Sequence, residues 1–103
     1  MKRRYVLAPQ AARDHVAIWR YIKKESSGEI AGRVEAVIRG KCVYLAEFPN
    51  SGHWRPDLTA AHVRFFRCTP IYLIVYRPET RPLQIAAILH ANRDVAKILP
   101  GRV

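Results

Sequence analysis

Two cysteines are all the sequence holds in 103 residues. That is too few for a disulfide-built scaffold, and Cys42 and Cys68 do not form a close metal-ligand pair. Both are expected to be reduced, partly buried thiols. His15, His53, His62 and His90 show no H-x-x-x-H or cysteine-assisted zinc spacing, so no metal is expected. A phosphate-binding glycine loop, a nucleophile elbow and a closely spaced carboxylate motif are also missing, and no cofactor is expected. The start "MKRRYVLAPQ" has the basic residues of a signal peptide without the apolar run that follows one, and nothing downstream is long enough to span a bilayer. A cytoplasmic protein without membrane contact is the expectation. Acidic residues are scarce: eight Asp and Glu stand against eighteen Lys and Arg, and none falls between Asp57 and Glu79. Internal repeats, linkers and low-complexity tracts are absent, so residues 1–103 read as one domain.

What is present is core material. Half the residues are hydrophobic, and two Trp, five Tyr and three Phe supply enough large side chains to close one core. The net charge of +10 is large for a chain of this size and points to an anionic partner: nucleic acid, an acidic protein segment, or both.

Tyr5 to Ala8 is a short apolar run stopped by Pro9, which suits the first turn of a helix. Ala12, Val16, Trp19 and Ile22 then recur at helical spacing, with Arg13, Arg20, Lys23 and Lys24 mostly off that stripe. "ESSGE" breaks the pattern. Ser26 with Glu29 three residues on has the form of a capping box opening a second helix. That helix carries Ile30, Val34, Val37, Ile38, Cys42 and Leu45, and its interior Gly40 costs stability unless it allows close helix approach. Helices joined so tightly run antiparallel. "FPNSGHWRPDL" reads as the longest loop. Three strands follow, "HVRFFRC", "IYLIVYR" and "LQIAAIL", with connections short enough for an antiparallel meander. The last two are apolar at successive positions, so both sheet faces are expected to be covered, one by the helical hairpin. "RDVAKIL" fits a short terminal helix with Asn92 as N-cap. The fold class is α+β: an N-terminal strand, an antiparallel helical hairpin, a three-stranded antiparallel meander and a short C-terminal helix.

The candidate binding residues are Arg55, Arg64, Arg67, Arg77, His90 and Arg93. Arg64 and Arg67 are an odd interval apart, so a regular strand sends them to opposite faces. They serve either as solvated charges blunting strand edges or in target recognition. His90 ends the third strand, where imidazole is either a hydrogen-bonded strand-end residue or an acid or base for phosphodiester cleavage with arginines beside it. A nuclease set would comprise His90, Arg64, Arg77 and Arg93. Asp94 is a cap or an ion-pair partner. Trp19 is assigned to the core, and Trp54 is either an anchored loop residue or part of a stacking patch with His53 and Arg55.

The succession of "LAPQAARD", "WRYI", Pro49 with Gly52, Arg64, "VYRPE" and "LHANRD" resembles the RelE/ParE toxin superfamily, in its ParE branch, over nearly the whole chain. Ala8 departs from the pattern, where a capping serine is common. The resemblance implies a bacterial type II toxin that arrests growth, stabilises plasmids and is neutralised by a cognate ParD-like antitoxin with an acidic or amphipathic C-terminal segment. It further implies DNA gyrase as target, no catalytic residues, and operator DNA contact only through the antitoxin. RelE-type members share the fold but cut mRNA on the ribosome, commonly with lysines or a glutamate on the central strands and a tyrosine near the C-terminus. Here the central strands hold no Lys, Glu or Asp, and Ala91 and Asn92 follow His90, which favours the ParE branch.

Overall fold

The computed structural model describes residues 4–103. Strand β1 (Tyr5–Leu7) leads into helices α1 (Pro9–Glu25) and α2 (Gly28–Glu47). Strands β2 (Arg64–Arg67), β3 (Tyr72–Arg77) and β4 (Leu83–His90) follow, and then a single-turn helix α3 (Val95–Ile98) that runs into a 3-10 turn at Leu99–Gly101. The sheet order is β1-β4-β3-β2. The last three strands form the expected meander, and β1 lies parallel to β4 with Tyr5 opposite Leu83, which makes the sheet mixed.

Three residues of β1 leave the rest of β4 without a strand neighbour on that edge, and α1 takes over. The Ala8 N–H donates to the Ile85 carbonyl at 2.9 Å, turning the chain from strand into helix without a side-chain cap. Two turns on, the Asp14 carboxylate accepts the otherwise unpaired N–H of Ile88 at 3.0 Å. The inward line of α1 is Ala11, Ile18 and Ile22 rather than the expected Ala12, Val16, Trp19 and Ile22. Val16 is exposed and Trp19 only half-buried, with the Lys23 ammonium 4.9 Å from its ring. Both stripes have helical spacing; the sheet selects the one that also delivers Asp14 to Ile88.

Ser27, not Ser26, caps α2: its Oγ accepts the Ile30 N–H at 3.1 Å, while Ser26 closes α1 through its own N–H to the Ile22 carbonyl. Glu29 therefore does not close a capping box, and its carboxylate meets Arg33 at 2.7 Å. Of the expected α2 stripe, Ile38, Cys42 and Leu45 are buried, whereas Ile30 and Val37 are exposed. Gly40 allows no close approach, since a Cβ there would meet nothing within 4 Å. α3 is capped by Asp94, whose carboxylate accepts the Lys97 N–H at 3.4 Å, and not by Asn92.

Both sheet faces are covered, and a bulge shows how. Val75 pairs with Ala87 but Tyr76 with Ile85, so Ala86 is an extra residue in β4. Ile85 and Ile88 consequently share the helix face despite their odd spacing, packed with Ile38, Leu45, Ile74 and Tyr76. The other face buries Phe65, Val75, Ala87 and Leu89 against Val63 of the long loop and Val95 and Leu99 of the C-terminal segment.

Candidate functional site

The polar groups of the sheet gather at its two ends. At one end His90 pairs across from Tyr72, with the two rings edge-to-face at 5.8 Å. Its Nδ1 accepts the Asn92 N–H at 3.1 Å, so the neutral ring carries its proton on Nε2 and has no free lone pair. A histidine held this way donates a hydrogen bond outward; it is not set up as a general base. Beside it opens a cleft of about 400 Å³, bounded by Asp14 and Tyr21 of α1, Tyr72, His90, Arg93 and Arg102. Two of its charges satisfy each other, because the Arg102 guanidinium grips both Asp14 oxygens at 2.6 and 2.7 Å. That hydrogen bonding holds the Arg102 pKa above its ordinary value. Arg93 is exposed and makes no ion pair among the described residues, which leaves it available to a partner.

At the opposite end the long loop folds onto β2. Its His53 exchanges two 2.8 Å backbone hydrogen bonds with Phe65. The Gly52 N–H donates to Tyr76 Oη at 2.9 Å, and the Tyr76 hydroxyl donates to the Pro49 carbonyl at 2.7 Å. Gly52 is required: a Cβ there would lie 2.5 Å from Tyr76 Oη and 2.9 Å from the Phe65 carbonyl oxygen. Arg64 donates to the Gly52 carbonyl at 2.8 Å and lays its guanidinium 4.2 Å over the Trp54 ring. His62 meets the same indole edge-on at 4.7 Å and reaches Glu79 at 3.0 Å. Trp54 is thus an anchored loop residue, held by Arg64 and His62 rather than in a patch with His53 and Arg55. Arg55 instead pairs with Asp57 at 2.8 Å. Arg77 donates to Gln84 Oε1 at 2.8 Å.

The register sets the distance between these two groups. Arg77 stands opposite Gln84 and Tyr72 opposite His90, so, with Ala86 bulged out of β4, the His90 and Arg77 positions are five residues apart along β3, roughly 17 Å at strand rise. Arg64, opposite Tyr76, lies at the same end of the sheet as Arg77 but on the opposite face, because successive residues of a strand alternate. Arg67 lies nearer His90 in register, opposite Leu73, but that line of side chains faces the second cluster, and its guanidinium donates to the Pro70 carbonyl at 2.8 Å. His90 and Arg93 therefore stand at one end, Arg64 with Trp54 on one face of the other end and Arg77 with Gln84 on its opposite face, while Arg55 and Arg67 stand apart. Sequence reading misses Asp14, Arg102 and Tyr76 as organisers of the two ends. Asp14 has a usable signal, a carboxylate three residues after the buried Ala11 on the inward line of α1. Arg102 has none, because its partner is far away in sequence.

Among the described residues no group of His, Cys, Asp or Glu is arranged to hold a metal ion, and no helix is long and apolar enough to cross a membrane. No curated protein is similar enough to the chain to count as a match. The model of one family, described as the ParE toxin of the type II toxin-antitoxin system parDE, matches residues 5–95, from β1 through the first residue of α3. With the strand, helical hairpin, meander and terminal helix in the order the resemblance implied, the chain belongs to the ParE toxin family of type II toxin-antitoxin systems.

Proposed function

We propose that this chain is a cytoplasmic toxin that arrests growth by binding DNA gyrase and stalling its DNA-cleavage cycle, and that a ParD-like antitoxin encoded beside it neutralises it. The observation that carries the choice of target class is the spacing of the candidate nuclease residues. A ribonuclease of the RelE kind needs a base and its charge stabilisers within reach of one phosphodiester. His90 lies roughly 17 Å along the sheet from the Arg77 position, Arg64 sits two strands away opposite Tyr76, and the His90 lone pair at Nδ1 is occupied by the Asn92 N–H. Inhibition by binding asks only for a surface of the right shape and charge, which a net charge of +10 and the unpaired Arg93 supply toward an acidic or DNA-bearing target.

Inducing the chain in bacteria, with plasmid supercoiling, DNA breaks and mRNA ends read in the same culture, tests this. Loss of negative supercoiling with accumulated DNA breaks is expected. Prompt ribosome-associated mRNA cleavage with undisturbed supercoiling would overturn it.

A further inference from the structure

Tyr72 is only 6% exposed, and its backbone is fully bonded, the N–H to Thr69 Oγ1 at 3.0 Å and the carbonyl to the Cys68 N–H at 3.1 Å. Its hydroxyl has no hydrogen-bond partner among the described residues, although a buried phenol ordinarily finds one. Nor is that oxygen sealed in: among the described residues, the fully enclosed side-chain atoms without a partner are His15 Nε2 and Arg64 Nε. Tyr72 lines the cleft beside His90, so its hydroxyl opens into that space. Burial first, and then the neighbouring Tyr21 hydroxyl, raise its pKa above the ordinary phenol value, which keeps it a hydrogen-bond donor. The other polar groups of the cleft ask for the same kind of ligand. Asp14 and Arg102 neutralise each other, His90 carries its proton on Nε2, and Arg93 makes no ion pair among the described residues. The cleft thus offers donors and one net positive charge, set against an apolar wall of Ala17, Ile18 and Ile98.

We infer that this cleft is the anchor pocket for the target protein: an apolar side chain of the target seats against Ala17, Ile18 and Ile98, and a neighbouring carboxylate takes the Tyr72 hydroxyl and Arg93. The inference rests on the function proposed above and names the part of the chain that grips the target. The volume of about 400 Å³ is at the low end for a small-molecule pocket and suits a side chain or two. The rim gives the reason for a protein. Tyr21, 62% exposed, and the exposed Arg93 carry the cleft out onto open surface, and Tyr and Arg are the residue types that dominate binding energy at protein interfaces. A DNA phosphate would satisfy the donors but leave the apolar wall uncovered.

The test titrates the labelled full chain with purified DNA gyrase and, separately, with the purified product of the reading frame adjacent to its gene. Tyr72→Phe removes only the unpartnered hydroxyl, so the melting temperature should hold while affinity for gyrase falls roughly tenfold, the loss of a hydrogen bond to a charged group. Arg93→Ala should weaken gyrase binding and flatten its salt dependence. Ala17→Trp, at an exposed position on the cleft wall, fills the space and should cost roughly 30-fold or more. Val37→Ser, which alters an exposed residue of α2, should leave gyrase affinity within about threefold. If gyrase binds the parent and all three cleft variants alike, the location is wrong while the toxin reading stands. If gyrase does not bind the parent chain, both fail. Cleft variants that keep gyrase but lose the neighbour's product would give the pocket to the neutralising partner and overturn the proposal. A clear fall in the melting temperature of Tyr72→Phe would do so too, by showing that the hydroxyl is bonded within the chain.

Discussion

Asp14 does more for the architecture than any other charged residue described. Its two oxygens take three hydrogen bonds, two from Arg102 and one from the Ile88 N–H, tying the C-terminus and the open side of β4 to α1. The pair is largely withdrawn from water, with 16% and 14% of the side-chain surfaces exposed. Asp14→Ala leaves a guanidinium and a strand N–H unpaired together, and the expected loss is about 3 kcal/mol, the low end for a broken buried pair. Glu29→Ala, which breaks a pair with 73% and 76% of its side chains exposed, should change stability by less than about 0.5 kcal/mol. Urea unfolding of both variants measures the contrast. The thiols offer a second residue-scale test. Burial raises Cys42 from 9.0 to about 12 and Cys68 from 9.0 to about 11. The folded chain therefore keeps protons that the unfolded chain begins to lose near the ordinary thiol value. The resulting stability is complete below about pH 9 and is lost as pH rises toward the folded values. The urea midpoint should fall with a shallower slope over this alkaline range in Cys42→Ala than in the parent chain.

At the scale of elements, apolar runs and their periodicity in the sequence placed the strands and α-helices of the described residues but not the 3-10 turn at Leu99–Gly101, and they were least informative where two choices are locally equivalent. "ESSGE" contains two adjacent serines, and either could cap α2. Tertiary packing decides, because α1 ends at Ser26 with a hydrogen bond to Ile22 and hands Ser27 to α2. Ser27→Ala should cost about 1 kcal/mol, a typical lost N-cap, and Ser26→Ala close to nothing. Equal losses in denaturant titrations would reverse that assignment. The α1 stripe was misplaced, Ile22 apart, for the same reason: Ala11 and Ala12 are interchangeable by periodicity, and the packing of Ile18 with the Ile88 N–H donating to Asp14 distinguishes them. In β4 the apolar run correctly predicted two covered faces, yet no local pattern announced the bulge at Ala86. The candidate site was legible residue by residue but not as a geometry. Which arginine joins His90 depends on strand register and on side-chain acceptors such as Gln84, and neither is written in the local sequence.

For the whole molecule, the sheet acts as a spacer. It separates His90 and Arg93 at one end from Arg64, Arg77 and Trp54 at the other, and α2 presents a third, apolar surface along the hairpin. Three separated surfaces suit a protein that works by docking, with one macromolecule able to inhibit and another to neutralise. The measurement that tests this most directly is supercoiling of relaxed plasmid by purified DNA gyrase with increasing amounts of the purified chain, parent and His90→Ala side by side, and ribosome-bound mRNA in a parallel reaction. The account predicts that the parent chain blocks supercoiling and traps cleaved DNA while mRNA stays whole. His90→Ala should retain this inhibition in proportion to its stability and its affinity for gyrase. Unimpaired gyrase beside mRNA cut by the parent chain, with cutting abolished in a folded, antitoxin-binding His90→Ala protein, would contradict it.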